Sequence, residues 1–395
     1  MKFVLFYEST ESFNYFTDEI SKELSSRGHD TFILDLLNPN HTGHSMQEFM
    51  TFCGRKVDAV ICFNRVGIHD DNYINLWNMM GACALHILMD HPLCAHPSME
   101  KHPHKYIQFC PDEEHVEYVK RYFPNVEHVE FLAHAGTFDD KPIIPYADKK
   151  YDIVFSASYF TPENRLQQLE QIYPKDSPMY HICTQIGEDQ IAHTEKSLIQ
   201  SVLDVLDTNN MPLSDAAVKT IMRSLTSVNW MVRMYYRGKV VQTLVDAGLT
   251  VHVLGKGWEN HPCAGASNLH ILHGLIDLAD TFDYMRDARI NLNVMPWFKE
   301  GTHDRIFNTM LRHSICLTDS SKWIDAHFED SKDIVLYDLK ELEKLPEIAD
   351  YWLNHHAEAQ TLIEKAYRKS ASYYTWVNCV DSLLESMERY YGTGG

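Results

Sequence analysis

Short apolar segments alternate with amphipathic helical segments along the first 140 residues, and this alternation constrains the fold more than any other feature of the chain. Lys2–Tyr7 is an apolar strand, and Phe13–Ser26 has the periodicity of a helix that ends before Gly28. Further apolar runs follow at Val57–Phe63, Leu85–Met89, Tyr106–Cys110 and Val126–Leu132. Alternating strands and helices produce a parallel sheet with helices on both faces. The sequence therefore predicts an α/β fold whose residues 1–148 form a Rossmann-like, doubly wound domain.

The loop after the first strand argues against a nucleotide site in this domain. It has no GxGxxG pattern, and its sequence Glu8-Ser9-Thr10-Glu11-Ser12 is acidic and would repel a pyrophosphate. We therefore expect this half to be a poor nucleotide site.

A second α/β pattern begins with the strand Tyr151–Phe155 and continues through residues 149–374. Residues of about 163–233 are helical in character and are broken by prolines, so we interpret them as a helical insertion whose role the sequence does not disclose. The alternation resumes with the strand Thr250–Leu254 and the strand Ile290–Val294. Residues 375–391 form the last predicted helix.

The stretch Glu300-Gly301-Thr302-His303-Asp304-Arg305-Ile306-Phe307-Asn308 follows that apolar strand and predicts a glycine-bearing loop and the first turn of a helix. Such connections hold anionic ligands in α/β folds, and Arg305 adds a planar fork suited to phosphate. Glu300 can accept hydrogen bonds from sugar hydroxyls, while Asn308 lies two helical turns further on. Gly301 and His303 complete this predicted ligand site. The alternative is an ordinary exposed connection whose charged residues are solvated.

Two other loops of the same half are candidates for phosphate contacts. Gly255-Lys256-Gly257 follows a strand and allows close backbone approach, and Ser156 and Ser158 end the first strand of this half. Glycine pairs of this kind are also common turns. We expect Lys256 and Arg305 to stabilise a leaving diphosphate without a metal.

Histidines follow strand ends in the first half and are candidates for proton transfer or for hydrogen bonds to a sugar. Asp90-His91 comes after the predicted strand Leu85–Met89, and His91 could act as a general base or hydrogen-bond a sugar. The alternative is a histidine that caps a loop. His134 stands at another strand end with a weaker case. The segment from His91 to His104 also invites a metal hypothesis, but its spacing is irregular and prolines interrupt it, so we predict no metal site.

Composition excludes several classes of protein. The chain of 395 residues exceeds what one core usually supports, and its net charge of -20 leaves no basic stripe for nucleic acid. No segment reaches the roughly 20 apolar residues that a membrane span requires, and the first residues do not resemble a secretory leader. Nine scattered cysteines without a CxxC pair are typical of a reduced cytoplasm. We therefore expect a cytoplasmic protein without nucleic-acid partners or membrane spans.

From Tyr236 to about Met387 the chain resembles bacterial group 1 type glycosyltransferases, in particular the CgeB-like branch. The matching words are Arg237-Gly238-Lys239, Val253-Leu254-Gly255-Lys256-Gly257-Trp258, Ile290-Asn291-Leu292-Asn293, Gly301-Thr302-His303-Asp304-Arg305-Ile306-Phe307, Cys316-Leu317-Thr318-Asp319 and Tyr374-Thr375-Trp376. Lys150-Tyr151-Asp152-Ile153-Val154-Phe155-Ser156 matches more weakly.

The resemblance implies a GT-B fold, in which two Rossmann-like domains face a cleft and the last helix returns to the N-terminal domain. The C-terminal domain would bind a nucleotide-sugar, and the N-terminal domain, residues 1–148, would hold the acceptor, with Asp90 and His134 on the acceptor side. Glu300 and Asn308 fall on the two ends of what resembles the Glu-x7-Glu motif of the family. Asn308 replaces the second glutamate, which usually engages ribose, and this departure puts the identity of the donor in doubt.

The resulting functional prediction is a glycosyltransferase that moves a sugar from a nucleotide-diphosphate donor to an unidentified glycan, protein or small molecule, with a retaining mechanism as the family implies. The sugar nucleotide is its substrate, and no permanently bound cofactor is expected. Two alternatives remain open: a nucleotide-sugar epimerase or hydrolase of the same fold, and a catalytically lapsed binding protein, which Asn308 motivates.

Overall fold

The computed structural model describes residues 1–35, 42–54, 56–138, 140–272 and 277–392, without the side chains of residues 42–45. The described residues divide into two compact units. Unit 1 comprises Met1–Thr137 and Tyr374–Gly395, and unit 2 comprises Phe138–Tyr373. The predicted assignment of an acceptor domain to residues 1–148 and a donor domain to residues 149–374 stays a prediction.

Unit 1 contains a six-stranded parallel sheet in the order β2-β1-β3-β4-β5-β6. Its strands are β1 Lys2–Tyr7, β2 Asp30–Asp35, β3 Ala59–Phe63, β4 Cys83–Ile87, β5 Tyr106–Cys110 and β6 Val129–Phe131. Strands β3, β4 and β5 are buried along their whole length, because helices cover both faces of an all-parallel sheet. The doubly wound fold predicted for the first half is confirmed.

The helices of unit 1 are α1 Glu11–Ser26, α2 Thr42–Cys53, α3 Asp71–Met80, α4 His96–Glu100 and α5 Glu113–Tyr122, with the last helix of the chain, α16 Trp376–Tyr391. Helix α16 packs on α1: Arg27 Nη1 lies 2.5 Å from Asp381 Oδ1, and the rings of Phe16 and Trp376 are 5.0 Å apart. The C-terminal segment is therefore part of the core of this unit.

Unit 2 contains a second six-stranded parallel sheet in the order β12-β11-β10-β7-β8-β9. Its strands are β7 Tyr151–Ser156, β8 Val251–Leu254, β9 Leu269–Leu272, β10 Ala288–Leu292, β11 Ile315–Asp319 and β12 Val335–Tyr337. The three central strands β7, β10 and β11 are rich in buried branched residues, and Ile153, Ile290 and Ile315 are fully buried in register.

Unit 2 has ten helices with described residues: α6 Pro162–Ile172, α7 Pro178–Ala192, α8 Leu198–Thr208, α9 Asp215–Ser224, α10 Thr226–Asp246, α11 Leu278–Arg286, α12 Asp304–Met310, α13 Lys322–His327, α14 Leu345–Asn354 and α15 His356–Tyr373. The predicted helical insertion is confirmed as α6 to α9 and the first turns of α10. Each of α6 to α9 begins with a Ser or Thr whose side chain accepts a hydrogen bond from a backbone N–H of the first turn, which explains where they start.

Candidate functional site

The site in unit 2 lies where the chain changes direction across its sheet. Strands β8 and β9 lie on one side of β7, whereas β10, β11 and β12 lie on the other. The gap between the carboxyl ends of β7 and β10 is therefore a topological switch point, the place where open parallel sheets bind ligands. Ser156 ends β7 and Asn293 directly follows β10.

Arg305 spans this switch point. Its Nε donates to the carbonyl oxygen of Ser156 at 3.0 Å, and its Nη1 donates to Oδ1 of Asn293 at 2.5 Å. The guanidinium lies 5.6 Å from the centre of the Phe155 ring. Burial lowers the pKa of Arg305, although an arginine keeps its charge under all ordinary conditions. The predicted loop and helix start therefore place a fixed positive charge at the switch point.

Asn293 is held in place by its own contacts. Its Nδ2 donates to Oγ1 of Thr318 at 2.9 Å, and its backbone carbonyl accepts from the Tyr337 hydroxyl at 2.8 Å. Because these partners come from β11 and β12, two neighbouring strands hold Asn293, whose side chain orients Arg305. The guanidinium is thus preorganised before any ligand arrives.

The glycine-bearing loop after β8 packs against the loop that follows β7. A Cβ on Gly257 would lie 1.9 Å from the carbonyl oxygen of Tyr159, and a Cβ on Gly255 would lie 2.6 Å from the carbonyl of Ala157. Both glycines also have positive φ, at 129° for Gly255 and 90° for Gly257, so only glycine fits both requirements. The backbone N–H of Lys256 donates to Oγ of Ser158 at 3.3 Å, while the Lys256 side chain is exposed.

Two arginines that the sequence analysis did not select as site residues lie at the same edge. Nη1 of Arg237 donates to the carbonyl oxygen of Ser158 at 2.9 Å. Arg233, one turn earlier on α10, lies 4.1 Å from the centre of the Trp297 ring, and Arg237 lies 5.6 Å from it. Arg233 is only 4% exposed and Arg237 only 7%. We call Arg233, Arg237 and Arg305 the arginine cluster.

A sequence signal for these residues existed. Arginine is almost never fully buried unless it is paired, and two arginines four positions apart share one face of a helix. Helix α10 buries that face, with Val232, Met234 and Val240 around the pair. The contact with Trp297 could not be predicted, because it joins segments far apart in the chain.

Glu300 sits at the start of the loop that leads to Arg305 and forms an ion pair with Lys322. Gly301 is fixed by the hydroxyl of Ser321, which donates to the Gly301 carbonyl at 2.6 Å. His303 caps α12 by accepting from the N–H of Arg305 at 3.2 Å. The loop is therefore ordered by its own contacts, and the prediction of a helix start at this point is confirmed.

The structure adds two details to the predicted donor site. Helix α12 is seven residues long, so its dipole is a smaller source of positive charge than we expected and the arginine cluster is the larger one. Asn308 is only 2% exposed, and its backbone carbonyl accepts from Nη1 of Arg312 at 2.9 Å. Asn308 is thus at least as buried as Arg233 and Arg237 of the arginine cluster, and its predicted place beside Glu300 at the ligand stays a prediction.

A buried carboxylate flanks the switch point on β11. Burial raises the pKa of Asp319 to about 7, although the N–H of Met295 donates to it at 2.7 Å and Lys299 opposes the shift. Asp319 is only 3% exposed, so little water reaches its carboxyl group on this side of the sheet edge.

The histidines proposed for acceptor chemistry lie in unit 1. His91 is 5% exposed, its Nδ1 accepts from the N–H of Leu93 at 3.0 Å, and its ring contacts His115 and Tyr118. This geometry matches the loop-capping alternative. His134 is also buried, whereas Asp90 is partly exposed. Strand β4 ends at Ile87, so Asp90 and His91 follow it by a short loop instead of directly.

The described part of the chain offers neither a cluster of metal ligands nor a membrane-spanning helix. It contains no group of three or more His, Cys, Asp and Glu side chains placed to hold a metal ion. Among its helices, none has the length and apolar content needed to cross a bilayer.

Comparison with known proteins supports the class of protein that these features suggest. Residues 237–385 match a family model described as glycosyl transferase-like, which covers less than half of the chain. No curated protein sequence matches. The family match begins at Arg237, one member of the arginine cluster.

Solved structures with the same architecture cover nearly the whole chain. A sucrose-phosphate synthase from Thermosynechococcus elongatus has a TM-score of 0.56 at 10% identity and covers 99% of both chains. A glycosyltransferase from Rickettsia africae ESF-5 has a TM-score of 0.55 at 10% identity and covers 98% of both. Anabaena HepE in complex with UDP-glucose has a TM-score of 0.51 at 9% identity, covering 98% of this chain and 100% of its own.

These matches show that the chain has the GT-B fold. The fold and the family match together support a glycosyltransferase, the class of enzyme that the resemblance implied.

Proposed function

We propose that this protein transfers a sugar from a nucleotide-diphosphate donor, bound at the carboxyl edge of the unit 2 sheet, to a hydroxyl-bearing acceptor. The observation that carries the proposal is Arg305, held across the β7/β10 switch point by Ser156 and Asn293. A guanidinium fixed at this place is suited to a diphosphate, which presents paired oxygens to a planar fork.

The arginine cluster would stabilise the leaving diphosphate. Negative charge grows on the leaving oxygen as the bond to the sugar breaks, and preorganised positive groups in a dry site lower the free energy of that transition state. Ser156, Ser158 and the backbone of Gly255, Lys256 and Gly257 would line the phosphates, with Gly301 and His303 beside them. In this arrangement, groups of the chain itself would stabilise the negative charge on the leaving diphosphate.

Glu300 would bind hydroxyls of the transferred sugar. Its carboxylate is partly exposed and its ion pair with the exposed Lys322 is a weak surface contact, so a ligand can compete for it. The finer features of the proposal are retention of anomeric configuration, membership of the bacterial CgeB-like branch and a cytoplasmic location. The free state of all nine cysteines favours a reducing compartment.

Acceptor-side roles for Asp90, His91 and His134 stay part of the proposal, but burial of the two histidines weakens the case for proton transfer. A glycan, a protein or a small molecule would each offer a hydroxyl. The donor is proposed to be a uridine nucleotide, because HepE, which shares the fold, is known in complex with UDP-glucose.

The test is incubation of the full-length protein with a panel of UDP-, GDP- and dTDP-sugars, with and without sugar acceptors. Nucleotide release that depends on an acceptor supports the transferase. Conversion of the sugar nucleotide without an acceptor would instead indicate an epimerase or hydrolase.

A catalytically lapsed binding protein is a second candidate, because Asn308 replaces the expected glutamate and is buried. Binding of a sugar nucleotide without turnover under any of these conditions would favour it. Asn308→Glu offers a direct comparison, since restored turnover in that variant would identify the missing carboxylate as the cause.

A further inference from the structure

Unit 1 has a switch point of its own. Strand β2 lies on one side of β1, and β3, β4, β5 and β6 lie on the other. In the parallel register Phe3 pairs with Ala59 and Val4 with Val60, so the same register continued along both strands places Glu8 beside Asn64. These two residues directly follow β1 and β3. They therefore flank the place on this sheet where a ligand is expected.

The backbone of Glu8 is held by Asn14, but one oxygen of its partly buried carboxylate has no donor among the described residues. Its N–H donates to Oδ1 of Asn14 at 2.7 Å, and its carbonyl accepts from Nδ2 of Asn14 at 2.9 Å. Oε1 of Glu8 is buried and accepts no hydrogen bond from any described residue. Burial raises the pKa of Glu8 to about 7. A buried carboxylate oxygen without a donor destabilises a fold, so it is expected where a ligand supplies the missing donor.

A complementary donor lies on the other side of the switch point. Nε of Arg65 is also buried and donates to no described residue. Within the described ranges no ion pair joins Arg65 to Glu8, so the two opposite charges do not satisfy each other. Asn64 between them is fixed in a left-handed conformation with φ of 51°, and its Oδ1 accepts from the N–H of Met89 at 3.2 Å.

We propose that Glu8 binds the acceptor, a sugar or polyol whose hydroxyl donates to the Glu8 carboxylate while Arg65 donates to a second ligand oxygen. A hydroxyl is both donor and acceptor, so vicinal hydroxyls match a carboxylate and a guanidinium that do not reach each other. The identification of this ligand as the acceptor rests on the proposed function. The binding of a sugar at this edge of unit 1 does not depend on it.

The experiment is saturation-transfer NMR on the full-length protein with glucose, galactose, mannose, N-acetylglucosamine and glycerol as probes. We expect the wild-type protein to saturate the resonances of at least one probe and Glu8→Gln to weaken binding by about tenfold, the effect of losing one hydrogen bond to a charged group. Glu11→Gln is the matched control, because Glu11 is an exposed carboxylate in the same segment. Lack of saturation with the wild-type protein, or equal saturation with Glu8→Gln, overturns the proposal.

A structural role for Glu8 would give a different result. A carboxylate that holds the fold together loses stability on substitution, whereas we expect Glu8→Gln to unfold at an equal or higher temperature than wild type at pH 8, because the substitution removes a buried charge. A lower unfolding temperature contradicts the proposal. Titration with UDP is a separate measurement: if UDP does not bind while the sugar does, the proposed function fails and the inference about Glu8 stands.

Discussion

Substitution of Arg305 by methionine tests the donor site most sharply, because methionine keeps the length of the side chain and removes its charge. The guanidinium makes two hydrogen bonds, to the Ser156 carbonyl at 3.0 Å and to Asn293 at 2.5 Å. Hydrogen bonds to charged groups contribute about 1.5 to 3 kcal/mol each, but removal of a buried charge recovers part of this, so we expect a net loss of stability of about 1 to 3 kcal/mol.

The same substitution is also expected to weaken binding of the nucleotide donor. Loss of one charge-assisted contact to a phosphate corresponds to about 1.5 to 3 kcal/mol of binding free energy, or a dissociation constant for UDP raised about 10- to 150-fold. Isothermal titration calorimetry with UDP measures this constant, and denaturant unfolding confirms that the variant is folded. Arg305→Lys keeps the charge without the fork, so its constant is expected to lie between those of methionine and arginine.

Arg368→Met is the matched control, since Arg368 is 76% exposed and lies 3.6 Å from Glu364 in a surface ion pair. We expect it to bind UDP as the wild-type protein does. A folded Arg305→Met protein with an unchanged dissociation constant would refute the reasoning.

Three further substitutions probe the same sheet edge. Gly257→Ala is expected to lower the free energy of unfolding by about 3 kcal/mol, because the new Cβ would lie 1.9 Å from the Tyr159 carbonyl oxygen at a positive φ; urea unfolding measures the loss, and wild-type stability would contradict it. Arg237→Met is expected to weaken UDP binding about tenfold by calorimetry, and unchanged affinity would remove Arg237 from the site. Asp319→Asn is expected to flatten the pH dependence of the free energy of unfolding. The pKa of Asp319 is raised to about 7 in the folded state, so between pH 4 and pH 7 the folded state holds a proton that the unfolded state releases. The stability that Asp319 contributes below pH 4 is therefore lost as pH rises through 7, a total of about 4 kcal/mol. Urea unfolding from pH 4 to pH 8 measures it, and parallel curves for both proteins would contradict the assignment.

The central strands of both sheets could be predicted from the sequence, because buried parallel strands are continuous apolar runs. Their ends could not be placed as well. Strand β4 begins at Cys83 and β10 at Ala288, both two residues before the predicted start, since an apolar run does not show where pairing begins. Strands β9 and β12 were not predicted: β9 has the exposed residue His270, and β12 is three residues long.

The candidate site was predictable where one segment carries it. Glu300, Gly301, His303 and Arg305 lie in a single loop and helix start, and the sequence pattern indicated that loop correctly. The positions of Arg233, Arg237 and Trp297 depend on how α10 packs over the sheet, which local pattern does not encode. Asn308 was predicted to lie near the ligand from its spacing of eight residues to Glu300. Because Glu300 precedes α12, helical spacing alone does not determine whether the two side chains lie together, and this placement stays a prediction.

A crystal structure of the protein soaked with UDP tests the central claim most directly. We expect the diphosphate at the carboxyl ends of β7 and β10, with a phosphate oxygen within hydrogen-bonding distance of Arg305. Electron density for UDP at any other place on the protein, with Arg305 unliganded, would contradict the claim.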